Sequence, residues 1–340
     1  MTVASSLRES ITDYCAKIGA DSMLVQGAGG NVSWKDGDTL WVKASGTWLA
    51  DAKTKDIFVP VDLDDLRHAI ANKNFDALPK VISGSKLRPS IETLLHALMP
   101  HKVVVHLHAI DVLVYVVREG VVKDISEKLK LLKNWVIVRY QKPGKDLARA
   151  ATEAFKRAPG ANILLLQNHG VVIGGKDVNE VELRFKQLLS KLTCQSFGNI
   201  DNNLMPKAIN IYKKRTYLPV DIFGIHNLAI SPYFFSRVKN DWALYPDHVV
   251  FLGPNAHCYD SIQLLKDDLN NNFAPELIFI KGRGVFASPG FSLTKQIQLK
   301  CYLDLIVRQP KNVFLKSIDK KQILKLINWD AEHYRKQLSK

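Results

Sequence analysis

The chain has 340 residues, of which 46% are hydrophobic and 24% are charged. These values are close to the averages for folded soluble proteins, so extensive disorder is not expected. The first residues lack the basic head and apolar run of a secretory signal, and no apolar run approaches the roughly 20 residues that span a bilayer. The four cysteines form no CxxC pair, which argues against a zinc ribbon or a disulfide framework. We therefore expect a cytoplasmic protein with no membrane partner.

The net charge of +14 is high, and two interpretations of it stay open. One is attraction of an anionic partner, and the other is a solvated basic surface with no specific role. The lysines and arginines are not interleaved with aromatic residues, and they do not accompany a recognisable DNA-reading motif. We expect no specific nucleic-acid binding, and we expect some basic residues to help hold a small anionic molecule.

The first third of the chain predicts a helix and a hairpin. Residues 5–19 have the pattern of an amphipathic helix. A glycine-rich turn and a strand follow, and the segment "KDGD" predicts a tight hairpin to a second strand. Another strand then leads to a helix that Asp62 or Asp64 could cap.

The next part alternates strands with helices. A helix is expected over about 91–99, then a strand that ends in "KVVVHLH" at residues 102–108, then a helix over about 109–119. Further on, residues 135–157 predict strand, turn and helix, and residues 162–192 predict strand, corner, strand and helix. Apolar strands that alternate with helices predict a layered α/β fold, and the hairpins indicate a mixed sheet.

The last part of the chain repeats the pattern of predicted strands and helix at residues 162–192. Residues 199–245 are irregular and indicate a connection between a domain of residues 1–198 and a C-terminal α/β region of residues 246–340. Within that region, residues 276–306 repeat the order apolar strand, turn, strand and helix, and Arg283 stands where His169 stands in the first unit. The C-terminal region is therefore either a degenerate copy of this unit or a chance similarity. We expect its role, including that of Arg283, to be structural.

Three histidines form a candidate metal site. Side chains alternate along a strand, so His106 and His108 project on one side, roughly 6 to 7 Å apart along the strand. A hydrogen-bonded pair of core histidines is the alternative. His169 also ends an apolar strand, and a catalytic divalent ion commonly takes three protein ligands. If the two strands were parallel neighbours, all three histidines would meet at one sheet edge. Glu92, at the start of the preceding helix, is a candidate fourth ligand or general base.

A second candidate site combines "QGAGGNVS" with "KASG". Glycines let a backbone approach a ligand closely, and Asn and Ser donors suit a phosphate or carboxylate group. An ordinary structural turn is the alternative. The glycines are followed by a strand and a hairpin, so the segment does not fit a nicotinamide-binding Rossmann unit.

Taken together, the segments "GAGGNVS", "VKASG", "PSIETLLH", "HLH" and "QNHGVVIGG" resemble the class II aldolase/adducin family. These segments are most similar to the aldolase part of fused sugar-phosphate aldolase/dehydrogenase proteins. The resemblance implies a three-layer α/β/α fold with a central mixed sheet, here with a C-terminal α/β extension. It also implies a homo-oligomer, commonly a tetramer, and a divalent metal ion, usually Zn²⁺ but also Mn²⁺, Fe²⁺ or Co²⁺.

The resemblance also implies roles for particular residues. His106, His108 and His169 match the metal-binding histidines, and Glu92 matches the acidic residue that ligates the metal or moves a proton. The positions that match the substrate phosphate site are Gly29, Asn31, Ser45, Gly46 and Ser90. Ile91 replaces a serine that several small aldolases have. The family's intersubunit tyrosine cannot be assigned from the sequence, and Tyr115 and Tyr140 are two of the available ones.

By resemblance, the expected function is that of a lyase in carbohydrate metabolism. A metal-dependent aldolase would cleave a ketose phosphate or a related sugar derivative through a metal-stabilised enediolate. Members of the same family are also sugar-phosphate epimerases or keto-acid decarboxylases. A non-catalytic, adducin-like interaction module is the alternative of a different class, and such modules lack the complete set of histidines.

Overall fold

The computed structural model describes residues 3–82, 84–197, 205–211 and 215–338. Its helices are α1 (Val3–Gly19), α2 (Leu63–Ala71), α3 (Thr93–Leu98), α4 (Ile110–Val116), α5 (Val121–Lys128), α6 (Lys145–Arg157), α7 (Val178–Leu192), α8 (Asn227–Ile230), α9 (Pro232–Asn240), α10 (Pro246–Leu252), α11 (Ile262–Asn270), α12 (Leu293–Ile306), α13 (Lys320–Ile327) and α14 (Asp330–Leu338). Its strands are β1 (Asn31–Asp36), β2 (Thr39–Lys43), β3 (Phe58–Asp62), β4 (Val103–Leu107), β5 (Trp135–Val138), β6 (Ile163–Leu166), β7 (Gly170–Gly175), β8 (Ile209–Ile211), β9 (Arg215–Pro219), β10 (Cys258–Tyr259), β11 (Leu277–Ile280) and β12 (Gly284–Ala287).

The larger sheet has the strand order β3-β2-β1-β4-β7-β6-β5. Only the pair β5 and β6 is parallel among these neighbours, and the other pairs are antiparallel. The hairpin between β1 and β2 turns at Gly37, as "KDGD" predicts. Asp62 caps α2 by accepting a hydrogen bond from the backbone N–H of Asp65. The mixed sheet expected from the sequence is confirmed.

Helices cover both faces of this sheet, which confirms the three-layer α/β/α fold. Helices α1, α4 and α7 pack against one face, where Val103, Val105 and Leu107 of β4 are buried. Helices α2, α3 and α6 pack against the other face, which Val104 meets. The alternation along β4 therefore aims His106 at the same face as Val104, towards the start of α3.

A second sheet, with the order β10-β11-β12-β9-β8, forms the C-terminal extension. It reproduces the order β5-β6-β7-β4-β1 of the first sheet, and each pair has the same parallel or antiparallel sense. The stretch 199–245, which the sequence indicates as a connection, contains β8, β9, α8 and α9 in its described part. Residues 198–204 and 212–214 lie outside the described residues.

The turns of the two units share an unusual backbone. Asn168 and Gly170, on either side of His169, have φ angles of 53° and 152°, and Gly282 and Gly284, on either side of Arg283, have 69° and 141°. Shared topology and a shared turn conformation support the interpretation that the C-terminal region is a degenerate copy of the first. The likeness in strand order extends beyond residues 276–306, since it includes β8, β9 and β10, which precede them.

The C-terminal extension packs directly onto the first sheet's helices. One continuous apolar core includes buried residues from both regions. At their junction the side chain of Gln309 donates to the carbonyl oxygen of Val114 at 2.9 Å and accepts from Nε of Arg118 at 3.1 Å. This packing places α10 and α14 beside the edge of the first sheet where β4 ends. Within the described ranges, no helix combines the length and apolar character that crossing a bilayer requires.

Candidate metal centre

Three elements bring the candidate metal ligands together. His106 lies in β4, His108 follows the last residue of that strand, and His169 lies in the turn between β6 and β7. The expectation that the two histidine-bearing strands are neighbours is wrong, because β7 lies between β4 and β6 and pairs with both. His169 still reaches the site because the β6–β7 turn folds over the end of β4. Gly170 makes this possible: a Cβ atom there would lie 2.3 Å from the carbonyl oxygen of Leu107.

The three imidazoles are arranged to share one ion. Each offers a ring nitrogen, and these atoms lie within 4.8 Å of one another. Nδ1 of His106 donates to the carbonyl oxygen of Val171 at 3.0 Å, so Nε2 of His106 carries the lone pair. That atom lies 3.1 Å from Nε2 of His108. A metal ion between them would bind both nitrogens, and zinc is bound by imidazole nitrogens at about 2.0–2.1 Å.

Glu92 faces the same centre from the residue that precedes α3. Its Oε2 lies 3.5 Å from Nε2 of His106, and its Oε1 lies 3.7 Å from Nε2 of His169. Asn31 in β1 donates to Oε2 of Glu92 at 2.8 Å. Oε1 is buried without a hydrogen-bond partner among the described residues, so one oxygen of the carboxylate remains available to an ion or a substrate.

The protonation of these groups suits cation binding. Burial lowers the pKa of His169 to about 3 and lowers that of His106 as well, so both rings are neutral near pH 7. Burial opposes ionisation of Glu92, but His106, His169 and the Asn31 amide outweigh it and lower the pKa of Glu92 to about 2. Neutral imidazole nitrogens and an ionised carboxylate are the forms that bind divalent metals.

A small cavity of about 30 Å³ lies beside these groups. Glu92, His108 and His169 border it, and so do all the residues expected at the substrate phosphate site, namely Gly29, Asn31, Ser45, Gly46 and Ser90. Of the described residues around it, none is a tyrosine, so Tyr115 and Tyr140 lie elsewhere. Arg283 is exposed in the turn between β11 and β12 and does not border the cavity.

The C-terminal extension supplies two charged cavity residues that the sequence did not reveal. Asp247, at the start of α10, is 1% exposed, and its Oδ2 lies 3.3 Å from Nδ1 of His108. Arg335 of α14 donates to Oδ1 of Asp247, and its other terminal nitrogen lies 3.3 Å from Glu332. The only signal for Asp247 in the sequence is the Pro-Asp pair that opens a helix.

Two further features of the cavity depend on tertiary packing. Lys43 of β2 borders the cavity and is fully buried. Its burial, and to a smaller extent the nearby charge of Arg335, lower the pKa of Lys43 to about 7. Leu338 packs over Gly46, where a Cβ atom would lie 2.7 Å from Cδ1 of Leu338. The last described helix thus covers one side of the candidate substrate site.

This combination defines the class of protein: a layered α/β protein in which three histidines and a glutamate form a candidate metal centre beside a glycine- and serine-lined cavity. The family described as "Class II Aldolase and Adducin N-terminal domain" matches residues 9–190. The chain therefore belongs to the class II aldolase/adducin family.

Two curated relatives match part of the chain, and one is named as an oxidoreductase and the other as an aldolase. The chain is 34% identical over 175 residues to the "Uncharacterized oxidoreductase YuxG" of Bacillus subtilis, and the match covers 47% of this chain and 25% of that protein. It is 29% identical over 187 residues to the L-fuculose phosphate aldolase of Methanocaldococcus jannaschii, covering 53% of this chain and 91% of that protein. A match to a quarter of a larger oxidoreductase agrees with the resemblance to fused aldolase/dehydrogenase proteins.

Solved structures match just over half of the chain. The N-terminal class II aldolase domain of a conserved protein from Thermoplasma acidophilum is 27% identical with a TM-score of 0.47, covering 56% of this chain and 94% of that one. YgbL from Klebsiella pneumoniae, described as a putative aldolase/epimerase/decarboxylase, is 22% identical with a TM-score of 0.44, covering 56% and 89%.

Proposed function

We propose that the protein is a metal-dependent aldolase that cleaves a ketose phosphate or a related sugar derivative. One observation carries the proposal: three histidines and the Glu92 carboxylate converge on one buried point, beside a cavity lined by glycines and serines. The similarity to an L-fuculose phosphate aldolase over 91% of that enzyme's length supports aldolase chemistry.

The residues present fit a divalent ion. His106, His108 and His169 would hold it, and the unpartnered oxygen of Glu92 is in reach of the same point. Zn²⁺ is proposed first, because three histidines with an open position are typical of catalytic zinc, and Mn²⁺, Fe²⁺ or Co²⁺ are the other candidates. When bound, the ion supplies a positive charge that polarises neighbouring substrate oxygens.

The chain's own residues would bind the substrate and move its proton. Gly29, Ser45, Gly46 and Ser90 line the cavity, and the hydroxyl groups of the two serines can donate hydrogen bonds to a phosphate group. Glu92, held by the amide of Asn31, would carry the proton to or from the reacting carbon. The products would be dihydroxyacetone phosphate and an aldehyde.

The proposal is tested by measuring metal per chain in the purified protein and in His106→Ala and His108→Ala. We expect about one equivalent of divalent metal in the parent and none in either variant. Ketose phosphates are then screened for aldehyde release, with pentulose-phosphate epimerisation and keto-acid decarboxylation assayed in parallel. A loaded parent that epimerises or decarboxylates without releasing aldehyde contradicts the aldolase proposal. A parent that takes up no metal leaves the adducin-like module as the explanation.

Two further properties are proposed from family membership. We propose a homo-oligomer, a tetramer by resemblance, that acts in the cytoplasm on a small anionic sugar-type substrate without nucleic acid. Light scattering of the purified protein tests the assembly, and a monomer at micromolar concentration contradicts it.

A further inference from the structure

We infer that Asp247 is a positioning residue for His108, and that Arg335 holds Asp247 in place. The carboxylate of Asp247 fixes the His108 ring so that Nε2 points to the metal. This inference rests on the metal site of the proposed function. It assigns a role at that site to residues outside 9–190, the part of the chain that matches the family.

The contact between Asp247 and His108 joins two atoms that have no other partner. Oδ2 of Asp247 and Nδ1 of His108 are 3.3 Å apart. Both atoms are buried, and neither makes a hydrogen bond to any other group among the described residues. Buried polar atoms normally have a partner, because leaving them unsatisfied costs their desolvation free energy. At this geometry they do not form a hydrogen bond with each other either, but their contact at 3.3 Å makes each the available partner of the other.

The three candidate ligands differ in the partner of the ring nitrogen that faces away from the candidate metal site. His106 uses Nδ1 to donate to a backbone carbonyl. Nδ1 of His169 has no hydrogen-bond partner among the described residues. At His108 the facing group is a carboxylate, which binds an imidazole N–H more strongly than a neutral carbonyl does. His108 is thus the ligand whose orientation and basicity depend on the C-terminal extension.

Tertiary packing holds the Asp247 carboxylate rigidly. Pro246 opens α10 one residue earlier and fixes the backbone there. Arg335 donates to Oδ1, so that oxygen is occupied and Oδ2 is left for His108. The Arg335 guanidinium also packs 5.4 Å from the ring centre of Phe251 and next to Glu332. Residues of α10 and α14 together therefore aim one carboxylate oxygen at one ring nitrogen.

Such an outer carboxylate changes how tightly a histidine binds metal. A carboxylate that accepts a hydrogen bond from Nδ1–H selects the imidazole tautomer in which Nε2 carries no proton. It also makes Nε2 more basic, so that this nitrogen binds a metal ion more strongly. Loss of a partner of this kind typically costs 10- to 100-fold in metal affinity. A residue that only supports packing would not change the electronic state of the bound metal.

The test uses the full chain and Co²⁺ as the probe, with affinity measured by chelator competition and the site followed by its visible absorption. Asp247→Ala removes both the charge and the acceptor, whereas Asp247→Asn keeps an acceptor oxygen. Asp247→Asn combined with Arg335→Gln removes both charges and avoids a buried unpaired guanidinium. The matched control is Asp241→Asn, a buried carboxylate of the same extension that pairs with Arg237 and does not border the cavity.

We expect Asp247→Ala to weaken Co²⁺ binding by 10- to 100-fold, with a smaller loss in Asp247→Asn and in the double variant. The absorption bands of the bound Co²⁺ should shift in all three and stay unchanged in Asp241→Asn. Affinity within twofold of the parent and unshifted bands in the folded double variant would overturn the inference while leaving the metal site intact. Absence of Co²⁺ binding in the parent would overturn both the inference and the proposed metal site.

Discussion

The Nε2 atoms of His106 and His108 face each other at 3.1 Å, and the opposite nitrogen of His106 is committed to the carbonyl oxygen of Val171. Both rings are buried, so the lone pair on Nε2 of His106 is shielded from bulk water. A cation between the two rings would bind this lone pair, and it would also bind the unpartnered oxygen of Glu92.

Metal binding should therefore stabilise the folded protein. With free Zn²⁺ or Co²⁺ at 100 times its dissociation constant, we expect the free energy of unfolding to rise by about 2.7 kcal/mol, because the ion binds only the folded state. His108→Ala should show no such rise, and chelation should reverse it in the parent. His257→Ala, at a half-buried histidine that is neither a candidate ligand nor a residue lining the cavity, is the control and should respond as the parent does. An equal response in His108→Ala would contradict a shared metal site.

Replacing Glu92 by Gln should separate binding from proton transfer. The amide oxygen of Gln can still accept from Asn31, so the fold is retained, but the group can no longer take up a proton. We expect turnover to fall by about 10² to 10⁴, the usual range for loss of a general acid or base. Metal content and turnover are measured on the same sample. Activity within a few-fold of the parent would mean that Glu92 does not carry the proton.

A side chain at Gly46 should destabilise the protein through two separate effects. Its φ angle of +80° disfavours a residue with Cβ, and that Cβ atom would meet Leu338. We expect Gly46→Ala to lower the free energy of unfolding by about 1 to 3 kcal/mol. Leu338→Ala should recover part of this loss in the double variant, since it removes the clash but not the backbone strain. Full additivity of the two changes in denaturant unfolding would mean that the residues do not touch.

Lys43 should make stability depend on pH in the alkaline range. Its pKa is about 7 in the folded protein, mainly through burial, and about 10.4 in an unfolded chain. Between these values the unfolded chain binds the proton and the folded protein does not, so stability rises with pH. The slope is at most about 1.4 kcal/mol per pH unit.

The measurement compares Lys43→Met with the parent in denaturant at pH 7 and pH 9.5. Methionine does not titrate, so the stability of the parent relative to the variant should increase from the lower to the higher pH. A difference that is the same at both values would show that the folded protein keeps the lysine protonated throughout.

Much of the local structure could be predicted from the sequence. The Asp-Gly hairpin, the cap at Asp62 and the side shared by His106 and His108 follow from turn chemistry and from the two-residue period of a strand. The pattern around His169 also indicated the tight corner at Gly170. These features depend on residues within a few positions of one another, so the sequence contains them directly.

The arrangement of the strands was harder to predict. The position of β7 between β4 and β6 depends on which strands pair with each other. The apolar pattern of the strands is compatible with several such pairings. The copy of the strand order in the second sheet was indicated only at residues 276–306. Its first two strands, β8 and β9, lie in a stretch that had the composition of a connection.

Local patterns in the sequence were enough to predict much of the secondary structure of the first 192 residues, the family and the candidate histidines. The contact of Asp247 with His108, and the positions of Arg335 and Leu338 at the cavity, depend on tertiary packing. These contacts join elements far apart in the chain, and they form because the apolar faces of both regions merge in one core. Local patterns fix which residues a segment buries, whereas the packing of segments fixes which buried polar atoms meet.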